Sequence, residues 1–286
     1  MTSIPAFSPS SDHTLTRTDG RRVAWSQWGD PDGPAVLLLH RNPGSRLFDP
    51  DPAATAAVRL ITLDRPGYGG SDPVPDPTRA AVGSDVAAVA DEVAVDDVAV
   101  VGWSGGGQFA VDSAALLGDR VRSLSLVCTP APDEEIAWVP DDFRALTDAV
   151  RSDPAGALAP VTAACSFYGD DPEALVASDP GPADADVRSR PGVTDALAAM
   201  MREGARQGAI GMACDIVAGS RGDPLPLEAV RAPVRLWYGD ADWIGPDHGR
   251  LYAERLDDAR LSVIPGAGHL LPLVSWPAIL AAAIAP

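Results

Sequence analysis

The sequence predicts an α/β protein: a doubly wound, mostly parallel sheet with a helical cap inserted between its later strands. Three observations carry this reading. Short stretches rich in apolar and β-branched residues recur at 35–39, 58–63, 98–101, 121–127, 234–238 and 260–264, unbroken at 35–39 and 98–101, as expected of strands in a largely buried sheet. Stretches with helical spacing separate them, so each crossover brings the chain back to the same edge and the strands run parallel. The rhythm stops between 129 and about 226, where strand signals vanish and helix-like pieces broken by Pro, Gly and Asp take over. The expected division is a core over 1–128, a cap over 129–228 and a second part of the core over 229–286.

Taken in order, residues 1–13 are rich in Pro and Ser and are expected to be poorly ordered. Residues 14–18 and 22–28 alternate around Asp19-Gly20, a hairpin signal. Strand 35–39 ends in His40-Arg41-Asn42-Pro43-Gly44, and strand 58–63 ends in a glycine-rich loop, DRPGYGGSD. A helix is expected over 78–93. The apolar run from Val98 then meets Gly102-Trp103-Ser104-Gly105-Gly106, and helical spacing resumes through Leu117. The cap should hold helices at 141–151, 154–167, 172–176 and 193–218. A helix at 246–256 and a final one from Leu273 complete the second part of the core.

Composition narrows the class of function. The chain has 286 residues, enough for one large α/β domain carrying an insertion. Its net charge is −18, and all 22 basic residues are arginine, which argues against nucleic acid and anionic membranes as partners. The three cysteines are odd in number and lack C-x-x-C spacing, which fits a reducing compartment and excludes a cysteine-based zinc site. The N-terminus has no basic stretch followed by an apolar run, and no segment reaches the length of a membrane helix. A cytoplasmic protein with a small-molecule substrate is expected.

G-x-S-x-G has chemical meaning where a strand turns sharply into a helix, because the turn exposes one strained serine above the sheet edge. Ser104 occupies that place, and the new helix points its free N–H groups at whatever the serine attacks. A serine hydroxyl needs a base, and the base needs an orienting carboxylate. Of the four histidines, His13 lies in the tail, His40 precedes a proline loop suited to a structural role, and His248 falls in a helix and reads as a surface residue. His269 follows the last strand in Gly266-Ala267-Gly268-His269, and in a parallel sheet that loop opens at the edge where Ser104 emerges. It is the candidate base. Asp240 and Asp242 follow strand 234–238 at the same edge; Asp242, further from the strand end, is the candidate orienting acid, and Asp240 is expected to brace the turn. The oxyanion donors are expected from the Gly105 amide and from the loop after strand 35–39, at Asn42 or Arg41, since Pro43 has no N–H.

Together the elbow GWSGG, the strand ending LLLHRNPG, the loops DRPGYGGSD and YGDADWIGP, and the terminal GAGH resemble the α/β-hydrolase superfamily over nearly the whole chain outside the cap. The resemblance implies a Ser104–His269–Asp242 triad working through an acyl-enzyme, with no cofactor and no metal. It departs at one point: the superfamily usually has His-Gly-x-Pro at the oxyanion loop, and here Arg41 replaces the glycine. Arg41 is then expected to accept backbone strain, reshape the loop, or pair with a carboxylate.

Arg41, Trp103, Trp138, Phe143, Phe167 and Trp243 are the candidate substrate-contacting residues. The leading reading is a serine hydrolase of an ester, lactone, thioester or amide. Asp133, Glu134 and Glu135 at the start of the cap keep open an aminopeptidase similar to the proline iminopeptidases, whose cap carboxylates hold a substrate amino terminus. The altered oxyanion loop keeps open a non-hydrolytic lyase or cyclase, and the fold also serves non-catalytic ligand receptors.

Overall fold

The computed structural model describes residues 8–177 and 182–285. Its eight strands are β1 (Ser11–Thr16), β2 (Arg22–Gly29), β3 (Ala35–Leu39), β4 (Arg59–Leu63), β5 (Val98–Trp103), β6 (Val121–Val127), β7 (Val234–Gly239) and β8 (Ala259–Ile264). They form one sheet in the order β1-β2-β4-β3-β5-β6-β7-β8. The β1–β2 and β2–β4 pairs are antiparallel, and every pair from β4 through β3 to β8 is parallel. The N-terminal expectation over 1–13 is corrected at Ser11, Asp12 and His13, which pair with β2, the His13 ring stacking on Trp25 at 4.0 Å; residues 1–7 lie outside the described residues. Two aromatic planes and a ladder of backbone hydrogen bonds hold a stretch whose composition alone suggested disorder.

Helices α1 (Pro52–Thr55), α2 (Arg79–Glu92) and α3 (Gly106–Leu117) join the first strands. Among the described residues, seven α-helices lie between β6 and β7: α4 (Asp141–Ser152), α5 (Leu158–Ala164), α6 (Ser166–Asp170), α7 (Ala174–Ala177), α8 (Pro182–Arg188), α9 (Val193–Gly204) and α10 (Ile210–Ser220). The last two are α11 (Pro246–Arg255) and α12 (Pro272–Ala283). The expected helix over 193–218 is in fact two, because Gly208 takes a φ of +72° after a short 3-10 turn at Ala205–Gln207. The segment expected to be one helix over 154–167 likewise divides at Cys165 into α5 and α6, and α8 was not anticipated.

Alternate strand residues face opposite layers, as period-2 geometry requires. Leu37, Leu39, Val98 and Val100 pack with Val82, Val86 and Phe109 of α2 and α3. Val36, Leu38, Ala99 and Val101 pack with Trp276, Ile279 and Leu280 of α12, and this layer runs on into Val193, Leu197 and Met200 of α9. A separate small core of Val150, Val161, Ala213 and Val217 ties α4, α5 and α10 together. No helix among the described residues is long and apolar enough to cross a membrane.

Candidate active site

β5 ends at Trp103, and the chain turns at once through Ser104, whose φ is +55°, into α3. A non-glycine residue in this region is strained and is held there by its surroundings. The Ser104 N–H donates to the Val127 carbonyl at 2.8 Å, and its carbonyl accepts from Gly107 N–H at 2.9 Å. The turn also needs Gly106, because a Cβ there would sit 2.3 Å from the His40 carbonyl oxygen. Strand β3 can therefore approach the elbow closely enough to bring the following loop alongside.

His269 enters from the loop after β8. Its Nε2 lies 2.9 Å from Ser104 Oγ, and its Nδ1 lies 3.0 and 3.1 Å from the two carboxylate oxygens of Asp242. An ionised carboxylate can only accept, so Nδ1 carries the proton and Nε2 is left to accept from the serine hydroxyl. The His269 and Asp242 side chains are buried, and Asp242 Oδ1 also accepts the Ile244 N–H at 3.1 Å. Asp240 is exposed and accepts the Gly266 N–H at 2.6 Å, so it braces the turn as anticipated.

Cys128, at the end of β6, brings a third potential ligand atom to Asp242 and His269. This trio does not suit a metal ion. Burial, with the Asp242 charge second, pushes the Cys128 thiol well above its ordinary range, and the His269 and Asp242 atoms already bind each other.

A Cβ built on Gly105 would lie 3.3 Å from Asn42 Cβ and 3.9 Å from the Asn42 amide nitrogen, so the two residues border one space beside Ser104. Arg41 causes no strain of the kind expected: the described non-glycine residues with positive φ are Ala94, Ser104 and Cys128. Its guanidinium lies over the Trp103 ring at 5.3 Å. The loop carbonyls are held from behind, since Arg65 donates to the His40 carbonyl and, at 3.1 Å, to the Arg41 carbonyl. The His40 ring also donates to the Arg41 carbonyl at 2.7 Å, and burial, followed by the Arg65 charge, keeps that ring neutral. Arg65 is paired in turn with Asp215 of α10, with Nε–Oδ1 at 2.9 Å, and Asp215 also accepts the Tyr68 hydroxyl at 2.9 Å. Sequence reasoning missed Arg65, Tyr68 and Asp215. The DRPGY stretch was visible, but nothing local says that its partner lies 150 residues away.

Ser104 opens into a pocket of about 250 Å³ walled mainly by apolar side chains, among them Phe109, Trp138, Phe143, Met212, Ile216 and Trp243. Arg41, Asn42, Gly105, Asp215 and His269 complete its polar edge. Trp138 and Trp243 pack at 6.3 Å, and Trp243 lies 5.5 Å from the His269 ring. Two expected contacts are corrected. Trp103 is fully buried, with Phe48 stacked on it at 4.9 Å, and it donates its indole N–H to the His269 carbonyl at 3.0 Å. It braces the histidine loop from inside the core. Phe167 is 41% exposed and lines a separate shallow groove with Leu146 and Ala149, because the break at Cys165 turns α6 away from the pocket. His248, expected at the surface, is buried and accepts the Ala131 N–H at 3.0 Å, anchoring the start of the cap.

The model of the alpha/beta hydrolase fold family matches residues 34–275. The chain is 31% identical, over 83% of its length and 87% of the relative's, to a pimeloyl-[acyl-carrier protein] methyl ester esterase of Chromobacterium violaceum. A shorter match, 36% identical over 80 residues, links it to a probable proline iminopeptidase of Streptomyces coelicolor and spans only 23% of that protein. The crystal structure of a hydrolase from Pseudomonas aeruginosa superimposes with a TM-score of 0.70 at 24% identity, covering 98% of this chain and all of the other, and so shares the fold. A strained serine at the β5–α3 turn, within reach of the histidine after β8 and the acid after β7, sits on a chain that belongs to the alpha/beta hydrolase fold family, with esterases among its relatives.

Proposed function

We propose that the protein is a serine hydrolase acting on carboxylic esters of small, largely apolar molecules. The observation that carries this reading is the unbroken relay from Ser104 Oγ to His269 Nε2 at 2.9 Å and from Nδ1 to Asp242 at 3.0 Å, opening into an apolar pocket. Ser104 Oγ attacks the ester carbonyl while Nε2 takes its proton; Asp242 stabilises the imidazolium and holds its tautomer. The Gly105 and Asn42 amides receive the oxyanion. The imidazolium returns the proton to the leaving alkoxide, and water activated by the same histidine frees the acid.

Two features favour an ester over a peptide amino terminus. The full-length relative cleaves a methyl ester by name, whereas the iminopeptidase match is short. The cap acids that would bind an ammonium are already engaged: Asp133 with Arg144 at 3.0 Å, Glu134 with Arg151 and Glu135 with Arg255. Turnover of p-nitrophenyl esters of increasing chain length, measured beside a prolyl arylamide, tests this. Ester cleavage with no arylamide cleavage is expected; preference for the arylamide would overturn the choice of substrate class.

A further inference from the structure

Asp184, on α8 of the cap, is 1% exposed and sends its carboxylate into the loop that carries His269. One oxygen accepts the His269 N–H at 2.7 Å, and the other accepts the Leu270 N–H at 3.1 Å. The opposite side of the same peptide is fixed by the core, through the Trp103 indole on the His269 carbonyl at 3.0 Å. Gly268 makes room for the carboxylate, since a Cβ there would come within 2.5 Å of Asp184 Oδ1. A carboxylate buried this deeply is costly unless its oxygens are well used, and amide N–H donors supply strong charge-assisted bonds.

We propose that Asp184 is a positioning residue for the reaction: from the cap, it holds the main chain of His269 so that the imidazole bridges Ser104 and Asp242. This rests on the hydrolase reading and extends it, because it makes a correctly docked cap a condition for a correctly aimed base. The carboxylate also places a second negative charge behind the imidazole. Among the described residues, the other ionisable groups beside that ring are Asp242, from the loop after β7, and Cys128, whose buried thiol stays protonated, and Arg41 and Asp215 line the same pocket.

The test compares Asp184→Asn with Asp186→Asn, which removes one charge from an exposed site on the same helix. An asparagine keeps one acceptor but turns an N–H₂ toward the second amide. Two readouts are needed: kcat and KM on an aryl ester across pH, and the His269 imidazole titration by NMR, assigned with His269→Gln, which requires no turnover. In Asp184→Asn, kcat is expected to fall about 10- to 100-fold with KM little changed, the scale of a misplaced catalytic group. The acid limb of kcat/KM and the NMR midpoint should both move to lower pH, because removing a nearby negative charge disfavours the imidazolium. Asp186→Asn should match wild type in both. A folded Asp184→Asn with wild-type kcat and wild-type titration would overturn the proposal. Should Asp184→Asn not fold, Gly268→Ala displaces the carboxylate without changing charge; a fall in kcat supports the proposal and an unchanged kcat overturns it. If wild type cleaves no ester, the hydrolase reading fails, and the NMR titration still decides the role of Asp184.

Discussion

Asp240 and Asp242 lie two residues apart in one loop, yet they have different tasks. Asp242 meets His269 Nδ1 through both oxygens, and Asp240 ties the neighbouring turn to Gly266. Replacing Asp242 by Asn leaves the shape intact but favours the wrong histidine tautomer. Its kcat should fall about 10⁴-fold, whereas Asp240→Asn should stay within about tenfold; steady-state kinetics on one aryl ester separates the two. A second residue, Asp49, predicts a pH effect on stability. Burial lifts its carboxyl to about 6, only partly offset by the Thr55 hydroxyl at 2.6 Å. Folding thus favours its protonated form, so its contribution to stability is present below about pH 4 and is lost as pH rises through about 6. Both its acceptor bonds use Oδ1, which asparagine keeps. Asp49→Asn should therefore melt higher than wild type at pH 7 and equally at pH 4; a lower melting temperature at pH 7 would contradict this.

At the scale of elements, the strands were legible because strands of a largely buried parallel sheet read as short apolar-rich stretches: β3, an unbroken apolar run, and β6, interrupted by Arg122, Ser123 and Ser125, both match their expected limits. The loops that follow them could then be placed on one edge, which predicts that Ser104, His269 and Asp242 lie side by side, as they do. The cap was legible only as a region of helices. Its helix ends depend on Gly208 and on the turn at Cys165, and its contacts with the core depend on partners far away in sequence. Trp103 shows the limit: its position beside the serine suggested a substrate contact, and only packing reveals that the ring points into the core. The Arg65–Asp215 pair joins the loop after β4 to α10 with both side chains buried. Removing either partner should cost about 3–5 kcal/mol by leaving a charge uncompensated, while Arg65→Met with Asp215→Leu should cost less than the sum. Urea unfolding of the four proteins gives the coupling. Activity should not return in the double variant, because the His40 and Arg41 carbonyls lose the donor that fixes the loop carrying Asn42.

For the whole molecule, the site is built where the core and the cap meet. The core supplies Ser104, His269, Asp242 and the loop at Asn42, while α4 and α10 supply much of the apolar wall. Polar links cross the same boundary. Arg65 pairs with Asp215, Arg46 of the core pairs with Glu203, and Gln207 donates to the Gly69 and Ser71 carbonyls at 3.1 and 2.7 Å. These links tie the helices between β6 and β7 to the loops that carry the candidate site. The reaction proposed above requires Ser104 to be an activated nucleophile facing the amides of Gly105 and Asn42. Intact-mass measurement after treatment with a fluorophosphonate, on wild type and Ser104→Ala, tests it most directly. One adduct is expected on wild type and none on Ser104→Ala; a folded wild-type protein that takes up no adduct, or an adduct retained by Ser104→Ala, would rule out this role for Ser104.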